Sequence, residues 1–315
     1  LNSQSALKDP VRLIMVGGFL GSGKTTLLWE VATRLVARGK RIGLVTNDQA
    51  PDLVDTALLG RTGVGVQEVA GSCFCCNFPA LIGASQRLVD SMKAEIIIAE
   101  PVGSCTDLSA TIIQPLKDKF RRQFILSPLT VLADPARIME ILGRKPGGTL
   151  HDSAAYIYRK QLEEADVILL NKTDLLSSEQ QKEIIALINK EFPGTAVRCI
   201  SALNGAGVEE WIDMALADAP AGRKVVGVDY DVYAEGEALL GWLNSVVKLS
   251  AGNGMDWRTV CLDFISKLQA AVRQKKAEIG HIKAFLSSNG SFVAANLTST
   301  NGGISVRGAI NGMPV

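Results

Sequence analysis

The segment Gly18–Thr25 constrains the fold of this chain more than any other part of the sequence. It matches the pattern GxxxxGK[ST], and it lies between an apolar run at Val11–Val16 and a helical pattern at Lys24–Ala37. Glycines let the backbone curl so that successive N–H groups converge, and the N-terminus of the following helix adds its positive dipole end. The pattern therefore predicts a phosphate-binding loop in a strand–loop–helix unit.

The polar residues of this loop have distinct predicted roles. We expect Lys24 to reach the β- and γ-phosphates of a nucleotide and to act in catalysis, and Thr25 to ligate Mg²⁺. The residues that we expect to line the nucleotide here are Gly18, Gly21, Ser22, Gly23, Lys24, Thr25 and Thr26.

Strand-like and helix-like patterns alternate along the first two thirds of the chain. The apolar runs after the first are Arg41–Thr46, Val66–Val69, Ile96–Ala99, Leu129–Ala133, Val167–Leu170 and Ala196–Ile200. The helical patterns between them are Ala80–Met92, Ala136–Leu142, Ser153–Glu164, Ser178–Asn189 and Val208–Ala217. Such alternation predicts an α/β fold of the P-loop NTPase type, with a doubly wound, mostly parallel sheet, over residues 1–221.

The pattern changes at the linker-like segment Ala219–Gly222. Beyond it, Val225–Ser250 has alternating strand character and Asp256–Lys276 predicts one amphipathic helix. Gly280–Leu286 and Ser291–Leu297 predict a hairpin, because the Asn-Gly dipeptide between them suits a tight turn. We therefore predict a small α+β domain over residues 222–315.

A second motif, Asn171–Asp174, follows the apolar run that ends at Leu170. The Asp174 carboxylate can accept hydrogen bonds from the N1–H and amino group of guanine, a pair that adenine cannot supply. We expect Lys172 to lie against the base and Asn171 to brace the loop. A main-chain N–H of Ser201 or Ala202, after a later strand, is expected to meet the guanine O6. The alternative is a simple cap for the helix that begins near residue 178.

Acidic residues end two of the predicted strands near the phosphate loop. Glu100 is placed to hold the Mg²⁺ shell and to act in catalysis, where most NTPases have Asp, and Gly103 to offer its N–H to the γ-phosphate. Asn47 and Asp48 end the second strand, and we expect Asp48 to approach the magnesium ion. The alternative for Glu100 is an exposed acid at a strand end, and the alternative for Asp48 is a cap of the next segment.

Three of the six cysteines fall within four residues, at Cys73, Cys75 and Cys76. Thiolates suit Zn²⁺, and also Co²⁺ or Ni²⁺. One turn can present Cys73 and Cys76 to the same ion, with Cys75 or a nearby carboxylate as a third ligand. A redox pair and plain buried thiols are the alternatives. Crowded thiols in a chain of this size favour a reducing compartment, and we expect a cytoplasmic protein.

The charge and the hydropathy of the chain argue against nucleic acid and membrane as partners. The chain has 33 Lys and Arg against 32 Asp and Glu in 315 residues, without a long basic run, so no nucleic-acid surface is expected. We find no apolar run near the roughly 18 residues that a membrane span needs.

The phosphate loop, the C-x-C-C cluster, the Glu-x-x-Gly segment and the Asn-Lys-Thr-Asp motif, in this order, resemble the CobW/UreG/HypB family of metallochaperone GTPases, and most of all its CobW-like branch. The resemblance covers roughly residues 11–217. It implies a GTPase that uses Mg²⁺ and couples nucleotide state to the delivery of a transition metal. By position, Lys24, Thr25 and Glu100 would hold nucleotide and Mg²⁺; Asn171, Lys172 and Asp174 would bind guanine; and Cys73, Cys75 and Cys76 would ligate metal, with Glu68 as a weaker ligand candidate.

Three features depart from the family pattern. Ser72 stands between Gly71 and the first cysteine, which implies a differently shaped loop. The chain has only two histidines and therefore lacks a histidine-rich metal store. Cys105 lies just past the Glu-x-x-Gly segment, and we interpret it as a small buried residue rather than a fourth ligand.

These observations lead to a GTP-hydrolysing metallochaperone as the first hypothesis. Its expected partners are a client metalloprotein or cofactor protein and, when nucleotide is bound, a second copy of the chain. The alternative is a nucleotide-gated scaffold for a corrinoid or other cofactor protein, in which the cysteines hold structural zinc. An ATP-dependent small-molecule kinase is disfavoured because the Asn171–Asp174 motif suits guanine. We expect slow hydrolysis, since neither a glutamine that orients water nor an arginine finger is evident.

Overall fold

A computed structural model of the chain describes residues 10–48, 63–143, 150–250 and 255–310. The chain divides into two compact units, Leu1–Leu239 and Leu240–Val315. This division lies beyond the predicted boundary after residue 221.

Within its described residues, the first unit has eight parallel strands. They are β1 (Val11–Gly18), β2 (Ile42–Asp48), β3 (Gly65–Ala70), β4 (Ile96–Glu100), β5 (Phe124–Leu126), β6 (Thr130–Ala133), β7 (Val167–Leu170) and β8 (Ala196–Cys199). Seven of them follow the order β3-β2-β4-β1-β6-β7-β8, and β5 pairs with β1 beside this path. The predicted mostly parallel, doubly wound sheet is confirmed.

Helices cover both faces of this sheet. In chain order they are α1 (Lys24–Ala37), α2 (Phe78–Met92), α3 (Gln114–Lys119), α4 (Pro135–Ile141), α5 (Asp152–Glu164), α6 (Ser178–Glu191), α7 (Val208–Leu216) and α8 (Tyr230–Leu239). A π-helical turn at Ser109–Ile113 leads into α3, and a 3₁₀ turn at Thr173–Leu175 follows β7. In the described ranges, none of the helices combines the length and the apolar character that crossing a bilayer requires.

The alternation of side chains along β1 shows why two helical layers are needed. Leu13 and Met15 pack in one core with α2 and α5, whereas Ile14 and Val16 pack in a second core with α1 and α7. Successive residues of a strand point to opposite faces. A strand with apolar side chains on both faces therefore requires cover on both sides.

The parallel arrangement brings the candidate residues to one edge of the sheet. Because neighbouring strands run in the same direction, the loops after their carboxyl ends meet there. The phosphate loop follows β1, Glu100 ends β4, and Asn171 and Ser201 follow β7 and β8 closely.

Helix α8 replaces part of the strand pattern predicted at Val225–Ser250. The Asp229 Oδ1 atom accepts hydrogen bonds from the N–H groups of Asp231 and Val232, which caps the first turn of the helix. Gly236 lies against α5, where a Cβ atom would come within 2.8 Å of the Ser153 carbonyl oxygen. The helix forms because it is capped and packed there, neither of which sequence alternation reveals.

The second unit is a small α+β structure with its own core. Helix α9 (Trp257–Gln274) packs on an antiparallel sheet of order β11-β10-β9, formed by β9 (Ile282–Ser288), β10 (Ser291–Leu297) and β11 (Ser305–Ala309). The predicted helix and the hairpin around Asn289 and Gly290 are both present, whereas β11 was not predicted.

Candidate functional site

The phosphate loop has the tight curvature that its glycines predict. Gly18 and Gly23 have φ angles of 136° and 99°. A Cβ atom on Gly18 would lie 2.7 Å from the Leu132 carbonyl oxygen, and one on Gly23 would lie 2.4 Å from the Asn171 Nδ2 atom. Neither site has room for a side chain, because the loop is pressed against β6 and the residue after β7.

The loop carries donors that are suited to a phosphate group. The Ser22 hydroxyl is buried and has no hydrogen-bond partner within the described part of the chain. Lys24 is buried, and its Nζ atom donates to the Gly18 carbonyl oxygen at 2.7 Å. Gly21, also in the left-handed region, and Thr26, in the first turn of α1, complete the predicted set. A phosphate oxygen would provide the acceptor that the Ser22 hydroxyl lacks.

A second pair at the start of α1 is suited to a magnesium ion. The Thr25 hydroxyl donates to the Glu100 Oε1 atom at 3.1 Å, and Glu100 is only 5% exposed. Hydroxyl and carboxylate oxygens are ligands that Mg²⁺ accepts. Asp48 ends β2, but its side chain lies outside the described residues.

The Asn171 side chain ties the phosphate loop to the predicted base-binding loop. Its Nδ2 atom donates to the Ser22 carbonyl oxygen at 2.8 Å, and its Oδ1 atom accepts from the Ala202 N–H at 2.9 Å. The exposed Asp174 accepts a 2.6 Å hydrogen bond from the Ser201 hydroxyl. Asn171 thus braces the loop as predicted, and Asp174 is oriented by a neighbouring side chain.

The N–H groups of Ser201 and Ala202 already have protein acceptors. The Ser201 N–H donates to the Ala206 carbonyl oxygen, and the Ala202 N–H donates to Asn171. The expected contact of one of these groups with the guanine O6 stays a prediction. In this structure the two residues position Asp174 and Asn171.

Lys172 is oriented by an acid that sequence analysis did not single out. Its ammonium group pairs with the Asp134 carboxylate, whose other oxygen caps α4 through the Ala136 N–H. Lys172 itself has a φ angle of 60°, so the chain turns sharply there. The acid after β6 and the lysine after β7 therefore fix each other.

The segment after Glu100 runs from the nucleotide side of the site to the cysteines. The Gln161 side chain, on α5, donates to the carbonyl oxygens of Gly103 at 3.0 Å and Cys105 at 2.8 Å. Gly103 lies so close to Leu20 of the phosphate loop that a Cβ atom would be 2.7 Å from the Leu20 Cδ2 atom. Segment 100–105 is therefore held between the phosphate loop and α5.

Asn47 holds the loop that carries the cysteines, which we call the cysteine loop (residues 71–76). Its Nδ2 atom donates to the carbonyl oxygens of Val69 at 2.8 Å and Ser72 at 2.7 Å, and its Oδ1 atom accepts from the Phe74 N–H at 2.9 Å. Gly71 has a φ angle of 81°, which permits the turn between these contacts. The extra Ser72 is thus accommodated through its own carbonyl group.

The three clustered thiols converge. The Cys73 Sγ atom lies 2.7 Å from that of Cys75 and 3.0 Å from that of Cys76. Among the described residues, these are the one set of three Cys, His, Asp or Glu ligand atoms within 4.8 Å of one another. Phe74 is fully buried between them and anchors the loop in the core. Glu68 lies in β3 and does not belong to this set.

The thiols also shift one another's pKa. Hydrogen bonds from the thiols of Cys105 and Cys75 lower the pKa of Cys73 well below the ordinary thiol value. Hydrogen bonds to Cys73 and Cys75, together with burial, raise the pKa of Cys105 well above it. The hydrogen bond to Cys73 likewise raises the pKa of Cys76. One thiolate therefore forms readily among neutral thiols, and an incoming cation would release the remaining protons.

Cys105 is buried as predicted, but it is not isolated. Its thiol contacts Cys73 and Cys75, although it lies outside the set of three converging ligand atoms. This contact joins the segment after Glu100 directly to the cysteine loop.

Three residues of the site were not assigned their roles from the sequence. Asn47 and Asp134 stand at or just after the carboxyl ends of strands, and that position is a signal that could have found them. Gln161 lies within an amphipathic helix, where nothing in the sequence marks it. All three position other groups rather than project toward a ligand.

Comparisons with known proteins show which proteins this chain resembles. Residues 12–197 match the family model for the CobW/HypB/UreG nucleotide-binding domain. The zinc chaperone YjiA of Escherichia coli is 28% identical over 192 residues, which cover 59% of this chain and 57% of YjiA. The zinc chaperone CobW of Pseudomonas aeruginosa is 25% identical over 233 residues, which cover 65% of this chain and 59% of CobW. These matches thus span little more than half of either relative.

One eukaryotic relative and one solved structure extend the comparison. The zinc-regulated GTPase metalloprotein activator 1 of Dictyostelium discoideum is 28% identical over 220 residues, 59% of this chain and 44% of that protein. HypB of Helicobacter pylori in complex with nickel is 18% identical, with a TM-score of 0.48, over 66% of this chain and 87% of that one. Because the family model matches more than half of the residues, this chain belongs to the CobW/HypB/UreG family.

Proposed function

We propose that this chain is a GTP-dependent metallochaperone that binds and delivers a transition metal. Its nucleotide would be GTP with Mg²⁺, and its metal Zn²⁺, with Co²⁺ and Ni²⁺ as alternatives. The partner would be a client metalloprotein or cofactor protein in the cytoplasm, and GTP would favour a homodimer. The names of the zinc chaperone relatives support the choice of zinc.

The observation that carries this proposal is the path through segment 100–105. Glu100 contacts Thr25 at the start of α1, Gly103 contacts the phosphate loop, and the Cys105 thiol contacts the cysteine loop. A change at the γ-phosphate would move Gly103, and Cys105 would follow because it is two residues away. The same segment therefore offers a way for nucleotide state to act on the thiols.

The residues suggest how GTP would be held and hydrolysed. Lys24 would exchange its main-chain acceptor for phosphate oxygens, and Thr25 and Glu100 would hold Mg²⁺, which would neutralise charge on the phosphates. Asp174, oriented by Ser201, would accept hydrogen bonds from guanine. GTPases without further help turn over at roughly 10⁻⁴–10⁻² per second, and we expect that range for the isolated chain.

A titration tests the coupling between the two sites. Zn²⁺ and Co²⁺ are titrated into protein without nucleotide, with GDP and with a non-hydrolysable GTP analogue. We expect the metal affinity to differ by roughly 5–150-fold between states, and GTP affinity must then change by the same factor when metal binds. Cys73→Ser and Cys76→Ser should abolish tight binding in every state. Equal affinities in all three states would refute the gating.

A second variant tests the base. Asp174→Asn should weaken GTP binding and improve binding of xanthosine triphosphate, because the donor of Asn suits the carbonyl group that xanthine has in place of the guanine amine. An unchanged preference between the two nucleotides would overturn the assignment of guanine.

One observation favours the second candidate, a nucleotide-gated scaffold with structural zinc. The buried Cys105 gives the cluster a fourth thiol, and four-cysteine zinc sites are closed and structural. Stoichiometric zinc that resists chelators in every nucleotide state would support the scaffold. Zinc that exchanges readily in one state would support the chaperone.

A further inference from the structure

Helix α8 lies beyond residues 12–197, yet it is a fixed part of the first unit. Gly236 allows it to approach α5 closely, as described above. The Tyr230 hydroxyl donates to the Asp107 Oδ2 atom at 2.5 Å. The helix is thus anchored near the end of the segment that leads from Glu100 to the cysteines.

This packing brings Glu237 near the thiol cluster, although its carboxylate, like the Cys105 thiol, lies outside the set of three converging ligand atoms. Its carboxylate contacts the Ser104 side chain, and its charge acts on the thiols of Cys73 and Cys76. The Glu237 Oε1 atom is buried and, within the described residues, has no hydrogen-bond partner. The exposed Glu235, two residues earlier on the same helix, shows that this burial is specific to one position.

A buried carboxylate oxygen without a partner is unfavourable for folding. A divalent cation bound at the cysteines would attract the carboxylate and give this oxygen a ligand. Zn²⁺ sites in proteins are mostly tetrahedral, so three thiolates leave one position for a fourth group.

From this juxtaposition we infer that Glu237 is the fourth ligand of the metal held by Cys73, Cys75 and Cys76. The inference rests on the proposed metal-binding function and adds to it a ligand from outside residues 12–197. A site of three sulfurs and one oxygen would form only while α8 is packed on α5. Movement of α8 would open the fourth position, at which a client could take the metal.

Cys105 is the competing fourth ligand, and the structure distinguishes the two groups. The Cys105 thiol already has partners in Cys73 and Cys75, whereas one Glu237 oxygen has none. Glu237 is therefore the group whose environment a metal ion would complete.

Cobalt spectroscopy tests the inference directly. Co²⁺ is titrated into the full chain, and the thiolate-to-cobalt charge-transfer absorption and the ligand-field bands are recorded, followed by competition with Zn²⁺. The proteins compared are the wild type, Glu237→Gln, the matched surface variant Glu235→Gln, Cys105→Ser and Cys73→Ser.

The expected pattern separates an oxygen ligand from a sulfur ligand. Glu237→Gln should lower metal affinity at least about tenfold, since even the loss of a group that only hydrogen-bonds to a metal ligand lowers affinity by about that factor. It should shift the ligand-field bands and leave the charge-transfer intensity per bound cobalt unchanged. Glu235→Gln should match the wild type, and Cys105→Ser should keep the charge-transfer intensity.

Two results would overturn the inference while the proposed function stands. One is wild-type affinity and spectrum in Glu237→Gln when Cys73→Ser loses tight binding. The other is loss of about a quarter of the charge-transfer intensity in Cys105→Ser, which would assign the fourth position of a tetrahedral site to Cys105. Tight binding that survives in Cys73→Ser would instead refute the proposed metal site itself.

Thermal unfolding provides a second readout that does not depend on spectra. Without metal, Glu237→Gln should unfold at the same temperature as the wild type or higher, because the buried Oε1 atom without a partner then belongs to an uncharged amide. The rise in unfolding temperature on adding Zn²⁺ should be smaller in Glu237→Gln than in Glu235→Gln. An equal rise in both variants would contradict the inference.

Discussion

Two buried asparagines hold the two loops of the site, and the loops differ in what they hold. Asn171 pins the phosphate loop through Ser22, and Asn47 pins the cysteine loop through Ser72 and Phe74. Both side chains bridge main-chain groups that local secondary structure leaves unpaired. The chain thus uses one device, an asparagine near the carboxyl end of a parallel strand, to shape both loops.

The polar groups that these loops present have different partners. In the phosphate loop, Lys24 donates to a main-chain oxygen and Thr25 donates to Glu100. In the cysteine loop, Cys73 contacts mainly other thiols, which repel one another once they ionise. The side chains of the phosphate loop are therefore held in place without a ligand. The thiolates of the cysteine loop, in contrast, are stabilised together only when a cation is bound.

Lys24→Ala should produce the largest effect and should separate the two loops. We expect nucleotide turnover to be lost and GTP affinity to fall by about 100-fold, since a hydrogen bond to a charged group is worth roughly 1.5–3 kcal/mol. Zn²⁺ affinity without nucleotide should stay unchanged. Nucleotide binding and zinc titration measure both, with the exposed Lys40→Ala as the control. A weaker zinc site in Lys24→Ala would show that the loops are not independent.

The two asparagine variants should have opposite effects on the two ligands. Asn47→Ala leaves three main-chain groups without their partner and should lower the free energy of unfolding by about 4 kcal/mol, since each buried orphan costs roughly 1–3 kcal/mol. It should weaken zinc binding and leave GTP binding unchanged. Asn171→Ala removes the partners of two main-chain groups, and it should weaken GTP binding and leave zinc binding unchanged.

Chemical denaturation would measure the stability of each variant, and titrations with GTP and Zn²⁺ would measure its two affinities. If Asn47→Ala weakened GTP binding as much as zinc binding, the two loops would not be held independently.

Glu164, which contacts the chain just beyond segment 100–105, should make stability depend on pH. Its carboxylate accepts from the Ser109 N–H at 2.8 Å, and burial raises its pKa from 4.5 to about 8. The folded protein therefore keeps a proton that the unfolded chain loses. The resulting stability is fully present below about pH 4.5 and is lost as the pH rises to about 8.

Denaturant unfolding between pH 5 and pH 8 checks this sign. The free energy of unfolding should fall by about 3 kcal/mol across that range through this group. Glu164→Gln should remove this part of the pH dependence of the free energy of unfolding. Glu163→Gln, whose partners lie nearer the surface, should keep it. The same slope in Glu164→Gln and the wild type would contradict the assignment.

Gln161→Ala should have the smallest effect on stability but should weaken the link between the loops. It removes the donor of the Gly103 and Cys105 carbonyl groups and should cost about 1–2 kcal/mol. The difference in zinc affinity between GDP and the GTP analogue should shrink, because segment 100–105 loses a fixed support. Gln86→Ala, whose amide donates to Asp90 at the surface, is the control. An undiminished difference would place the coupling elsewhere.

The sequence by itself determined the parts of the site that depend on short stretches of chain. The glycines and Lys24 of the phosphate loop, and the spacing of Cys73 and Cys76, specify local backbone geometry within a few residues. The alternation of apolar runs likewise predicted the parallel sheet, and with it the edge where Glu100 and Asn171 meet, because parallel strands end on one side.

Only the tertiary structure decided which groups far apart in sequence contact one another. Helix α8 was misread as strand because its alternation carried no information about its packing on α5 through Gly236. The contact of Cys105 with Cys73 and the burial of the Glu237 oxygen are likewise features of the tertiary structure. Sequence periodicity encodes which face of an element is apolar, but the close packing of a folded core selects the partner that each polar group finds.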